Sequence, residues 1–220
     1  MWARRCALGA VLAAFLPVCL SGCAPGVARG AVGARLFTPD TVTHKAEFEV
    51  GTRPIVVIPF RDAAKTYYES GDGLDLATAV AGELVLRKAA TRVVSDEGVR
   101  REFAGQDLER VGWAEVGKAA GAQLVLTGDI DTFRLKDPGV IGMLRGYCKV
   151  NVRVYDIATN TPVYAAQGVE TYWPEYGAGV AASDKDPQTL RNELLARTAM
   201  KAVQRFYTWQ KKIGPEPTRY

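Results

Sequence analysis

The residues able to do chemistry are few. The chain has one histidine, His44, and four cysteines, Cys6, Cys19, Cys23 and Cys148. A single imidazole cannot assemble a zinc site, and His44 beside Lys45 reads as a solvated side chain. Asp129 and Asp131 are two apart in an apolar-to-alternating stretch, so a strand would put both on one face. Paired carboxylates can act as acid and base, but near a strand end they read as decoration of a wet face. Neither a Gly-x-x-x-x-Gly-Lys-Ser phosphate loop nor a Gly-x-Ser-x-Gly elbow occurs. The expectation is no enzyme, with no catalytic, cofactor-binding or metal-binding residue. A peptidoglycan hydrolase using Asp129 and Asp131 is the out-of-class alternative.

The first residues read as an address. Arg4 and Arg5 precede an apolar run from Cys6 to Leu20, broken only by Pro17. That run is shorter than the ~20 residues a permanent spanning helix needs. Leu20-Ser21-Gly22-Cys23 follows and resembles the lipobox of bacterial lipoprotein signal peptides. The resemblance implies cleavage before Cys23. It also implies a diacylglyceryl group on the Cys23 thiol and an acyl chain on its freed amine, the only cofactor-like groups expected. Several acyl chains, at about 0.8 kcal/mol per buried CH₂, hold a protein on a membrane without a spanning helix. Ala24 after the cysteine favours the periplasmic face of the outer membrane, by analogy with enteric bacteria. Cys148 then remains alone, so no intrachain disulfide is available.

The elements that follow form a simple succession. Residues 1–22 are read as signal peptide, 23–50 as lipidated cysteine and flexible tether, 51–213 as the folded domain, and 214–220 as a tail. Pro54-Ile-Val-Val-Ile-Pro-Phe60 is a buried central strand. A polar loop carrying Tyr67 and Tyr68 leads to a helix over 73–89, with Leu74, Ala77, Val80, Ala81, Leu84 and Val85 on one face and Asp72 as its cap. A short strand over 91–94 follows, then a helix over 96–103 and another ending at Ala120, closed by Gly121 in the left-handed conformation. Strands are expected over 123–133, 147–157 and 162–173, the last two joined at Asn160, which tolerates a positive φ. In the middle one Cys148, Val150, Val152 and Val154 alternate with Tyr147, Lys149, Asn151, Arg153 and Tyr155, so Cys148 faces a core. A helix over 187–210 ends the domain. The expected fold class is α/β: one domain, a mixed sheet, order β-α-β-α-α-β-β-β-α, with a parallel crossover early and an antiparallel meander late.

Four stretches in this order resemble the periplasmic domain shared by the curli secretion channel subunit and the lipoprotein activators of penicillin-binding proteins. They are Ile55-Val-Val-Ile-Pro-Phe60, Gly73 through Leu84, Ala119-Ala-Gly-Ala-Gln-Leu-Val-Leu-Thr-Gly128, and Val150-Asn-Val-Arg-Val-Tyr-Asp156 with Thr159-Asn160. Asn160 stands where the family has glycine, and Gln123 where it has an acidic residue. The resemblance implies a binding and assembly module with no catalytic residue to transfer. The channel members carry two barrel-forming hairpins. Here the corresponding gaps, 134–146 and 174–186, hold 13 residues each, whereas two spanning strands and a turn need about 20.

The expected function is therefore an outer-membrane-anchored periplasmic adaptor or assembly factor that binds another envelope protein, with an oligomeric export-channel component as the alternative. Homo-oligomers remain open. Formal charge is +4 and falls to about +2 without Arg4 and Arg5, too little for a nucleic-acid stripe. Partner-binding candidates are Tyr172, Trp173 and Tyr176, then Tyr67 and Tyr68, because Trp and Tyr dominate interface hot spots. Val140-Ile-Gly-Met-Leu144 is a third apolar patch.

Overall fold

The computed structural model describes residues 40–63, 71–136, 141–177 and 179–213. Leu20, Ser21, Gly22, Cys23, Tyr67 and Tyr68 lie outside them. The elements in chain order are β1 (Asp40–His44), β2 (Ile55–Val57), β3 (Arg61–Asp62), α1 (Gly71–Leu86), β4 (Val93–Val94), α2 (Glu97–Glu102), α3 (Leu108–Val111), α4 (Trp113–Ala120), β5 (Leu124–Arg134), β6 (Met143–Leu144), β7 (Gly146–Asp156), β8 (Thr161–Trp173), β9 (Val180–Ala181), α5 (Pro187–Val203) and β10 (Trp209–Ile213). The main sheet runs β4-β2-β5-β7-β8, with β3 also pairing with β5. β2 is parallel to β4 and β5, while β5, β7 and β8 form the antiparallel meander. The mixed α/β sheet expected from the sequence is present.

Burial follows from which sheet face each helix covers. One face packs under α1 and α5 in a core that includes Ile55, Leu76, Leu84, Leu126, Val150 and Leu194. The other face is covered by α2, α3 and α4 through Val56, Ile58, Val125, Val99, Trp113 and Val116. Strand β2 and the start of β5 are thus covered on both sides and are continuously apolar. Strand β7 alternates, because the second layer reaches it only where Trp113 stacks on Tyr155 at 5.1 Å. Tyr147, Lys149, Asn151 and Arg153 lie beyond that cover, half-buried.

Several local expectations hold. Gly121 sits at φ 67 and its N–H reaches the carbonyls of Gly117 and Lys118. Asn160 sits at φ 52, and its Oδ1 accepts a hydrogen bond from the Ala114 N–H at 3.1 Å, tying the hairpin to α4.

Other expectations are corrected. The compact unit begins at Pro39, not at residue 51. Asp40–His44 is a strand paired antiparallel with Trp209–Ile213, where the sequence reads as tether. The last helix does not reach Gln210. It ends at Val203, and a 3-10 turn over Gln204–Phe206 aims Phe206 into the core against Phe48 and Tyr164. The apolar stripe runs on to Phe206, so periodicity overshoots the helix. Helix α1 buries Leu76 and leaves Val85 and Leu86 exposed. Asp72 is not its cap but lies in its first turn and, with Asp75, holds Arg191 of α5 at 2.6 and 2.7 Å. The buried face keeps Ala77, Val80 and Leu84 but turns toward Leu76 and away from Val85.

Candidate interaction surface

Two loops meet at one end of the meander. The segment after β5 and the segment after β8 pair through β6 and β9, with Met143 opposite Ala181 and Leu144 opposite Val180. The Ala182 N–H donates to the Gly142 carbonyl at 2.9 Å. Gly179, at φ 114, is required there, because a Cβ would stand 2.5 Å from the Leu144 carbonyl oxygen. Leu144 is buried beneath the junction, whereas Ile141 is 98% and Tyr176 82% exposed. The short pairing therefore sets the Ile141–Leu144 patch against Val180 and Ala181, in the segment that follows the Tyr172–Tyr176 patch.

The three aromatic candidates of the second patch have different fates. Trp173 is half-buried, packed against the core. Its indole N–H donates to Glu193 of α5, and the Arg197 guanidinium lies 4.3 Å from its ring. Lys185 also pairs with Glu193. The Lys185 and Trp173 hydrogen bonds hold the Glu193 carboxyl below its usual range. Trp173 thus fastens α5 to the end of β8. Tyr172 packs against Tyr147 on the wet sheet face, with ring centroids 4.7 Å apart and planes tilted by 41°. Arg145 flanks Tyr172 at 5.0 Å and Arg134 flanks Tyr147 at 4.7 Å. Burial, with Glu170 nearby, raises the Tyr147 phenol. Only Tyr176 presents an open ring. Tyr147 and its two arginines were absent from the sequence candidates. The register Arg134↔Tyr147↔Tyr172 is what joins them.

The carboxylate pair also differs from expectation. Asp129 is buried, not on a wet surface. Arg61 reaches it at 2.7 Å and Arg153 contacts its other oxygen. Glu109 of α3 completes the group at 2.9 Å from Arg61 and 3.9 Å from Arg153. Asp131 falls at a β-bulge and accepts from the Asn151 amide at 2.9 Å. Both oxygens of Asp129 are thus occupied by guanidiniums, which makes it a structural ion-pair partner of β3 and β7. Cys148 is fully buried, and burial pushes its thiol up to about 12 despite a hydrogen bond with Thr198. Such a thiol is no nucleophile.

A concavity of about 310 Å³ lies where the β1–β10 ribbon meets β8 and the end of α5. His44 and Trp209 stack on its wall at 4.2 Å and 11°. No described helix is long and apolar enough to cross a membrane.

No family model and no curated protein matches the chain. Solved structures do resemble it. The PelC dodecamer from Paraburkholderia phytofirmans shares 16% identity, with 74% of this chain and 96% of that chain covered at a TM-score of 0.43. Lipoprotein GNA1162 from Neisseria meningitidis shares 10%, covering 57% and 88% at 0.43. LpoB from E. coli shares 14%, covering 55% and 58% at 0.38. These likenesses assign no function. One of the three, GNA1162, is itself a lipoprotein.

Proposed function

We propose that the protein is a lipid-anchored adaptor on the periplasmic face of the outer membrane, and that it docks another envelope protein through the paired loops carrying Ile141 and Tyr176. The observation behind this reading is the near-complete exposure of Ile141 and Tyr176 in the two segments that β6 and β9 pair. An exposed aromatic and an exposed aliphatic residue on a fixed frame suit a partner's pocket. Arg134 and Arg145 beside Tyr147 and Tyr172 add polar groups on the neighbouring sheet face.

Photo-crosslinking residues placed at 141 and 176 in cells test this. The expected result is one discrete adduct band from both positions, lost from each when the other carries Asp. A control position at Val163 on β8 should give no such band. Adducts from Val163 alone would move the docking surface to the sheet edge. Light scattering of the detergent-extracted protein runs beside it. A ring of eight or more subunits would favour the export-channel reading instead.

A further inference from the structure

We propose that the groove under the β1–β10 ribbon, together with the ribbon's own lysines, seats phosphate headgroups of an anionic phospholipid surface. The direction in which the ribbon faces the membrane rests on the Cys23 anchor reading.

The groove is lined by His44, Lys45, Glu47, Lys201, Arg205 and Trp209, with the Gly168–Glu170 stretch of β8 behind them. Its two carboxylates are already engaged. Glu47 accepts from Arg205 at 2.6 Å and from the Tyr164 hydroxyl at 2.7 Å. Glu170 lies 4.0 Å from Lys149. The cations are less consumed. Lys201 donates one N–H to the Glu170 carbonyl at 3.1 Å, and an ammonium has further donors to give. Lys45, Lys211 and Lys212 are exposed and have no ion pair among the described residues. A ligand offering several anionic acceptor oxygens matches this set.

Three features favour a lipid surface over a free anion. Lys211 and Lys212 alternate across the ribbon, opposite Val42 and Thr41, so one of them faces a surface whichever side the ribbon presents. Trp209 is half-buried and stacked, an amphipathic ring beside lysines, the pairing found at membrane interfaces. Residues 24–39 are the whole link between Cys23 and the ribbon, at most roughly 55 Å when fully extended. The ribbon is the first described element after the anchor, so its lysines act as the second signal that stable membrane attachment needs.

The test uses the chain beginning at Ala24, which keeps the whole compact unit from Pro39 onward. It is sedimented with vesicles of phosphatidylcholine alone or with one-quarter phosphatidylglycerol. Binding is expected only to the anionic vesicles and should fall with salt. Each lysine is worth about fivefold near an anionic surface, and Lys45 acts with whichever of Lys211 and Lys212 faces it, so Lys45→Gln with Lys211→Gln and Lys212→Gln should weaken binding about twenty-five-fold. Equal binding to both vesicles, no binding, or an unaffected triple variant would overturn the proposal. So would saturable binding of inorganic phosphate without vesicle binding, which would assign the groove to a soluble anion. The anchor is read separately, by flotation of the lipidated full chain and of Cys23→Ala with neutral vesicles. Loss of that difference removes the anchor and leaves the ribbon result intact.

Discussion

Asp129 on β5 and Arg153 on β7 are diagonal neighbours, two register steps apart, and their contact closes the sheet face where the small helices stop covering it. Arg61 from β3 takes the second carboxylate oxygen, so one buried anion joins three strands, and Glu109 adds α3. Removing the Asp129 charge would leave two guanidiniums sharing Glu109. Breaking a fully buried pair costs 3–5 kcal/mol. Here the Arg153 side chain is 32% exposed against 8% for Asp129, so Asp129→Asn should cost roughly 2 kcal/mol in urea unfolding. Asp131→Asn, exposed and still able to accept from Asn151, should stay within about 0.5 kcal/mol. Equal costs would show that burial of the first carboxylate is not what matters. A hydrolase would lose activity in both variants while remaining folded.

Gly128 and Gly117 are both crowded, but by different things. A Cβ on Gly128 would stand 2.0 Å from the Asn151 carbonyl oxygen and 2.7 Å from the Phe60 ring. The sheet backbone cannot yield, so Gly128→Ala should cost at least about 2 kcal/mol. A Cβ on Gly117 meets the Ile157 Cδ1 at 1.9 Å and its Cγ1 at 2.4 Å, so the half-buried isoleucine must change χ1. Helix propensity returns about 1 kcal/mol there. Gly117→Ala should therefore cost less than Gly128→Ala, with the higher denaturation midpoint of the two. A reversal of the two midpoints would contradict the packing described for β5 and β7.

What could be read in advance was what depends on neighbours in sequence. The alternation of Cys148, Val150, Val152 and Val154 identified a strand and its core face together. Gly121 and Asn160 announced their left-handed positions by residue type. The misses all depend on distant partners. Nothing near Asp72 points to Arg191, the partner that ties α1 to α5. β1 and β10 lie at opposite ends of the chain, and neither carries enough apolar pattern to declare itself. At the candidate surface, aromatic type singled out Tyr172, Trp173 and Tyr176 alike. Their roles separate only when Glu193 and Arg197 are seen to occupy Trp173. Asp129 looked like surface because its two arginines come from other strands.

The buried thiol and a half-buried phenol give the protein an alkaline limit. Burial raises Cys148 from its ordinary 9.0 to about 12. Burial first, then the hydrogen bond to Glu47, raises Tyr164 from 10.0 to about 12. Both groups ionise in the unfolded chain before they do in the folded one. The folded state then binds more protons, so stability falls as pH rises. The Cys148 contribution is complete below about pH 9 and is lost between 9 and 12, at about 1.4 kcal/mol per pH unit. Cys148→Ala should shift the whole curve by a cavity cost and flatten this slope. Tyr164→Phe should flatten the part above pH 10. At pH 8 the parent thiol should react with a maleimide only as fast as the chain unfolds. Rapid labelling of folded protein would contradict the burial of Cys148.

Lys88 and Asn160 are the two non-glycine residues at positive φ among the described residues, at 55° and 52°, and they should respond differently to glycine. Lys88 ends α1: its N–H reaches the Val85 carbonyl at 3.1 Å, and the next N–H, of Ala89, reaches the Leu84 carbonyl at 2.9 Å. The Lys88 side chain is exposed and only its backbone is used, so the strain of a left-handed lysine is uncompensated. Lys88→Gly should stabilise the protein by about 0.5–1 kcal/mol, net of the greater freedom of glycine in the unfolded chain. Asn160 tolerates the same conformation and also accepts from the Ala114 N–H. Asn160→Gly would relieve little and remove that bond, so it should lower stability by roughly 0.5–1.5 kcal/mol. Denaturation midpoints moving in opposite directions are the expected result. A common gain would mean that the hydrogen bond from α4 contributes nothing to holding the β7–β8 turn.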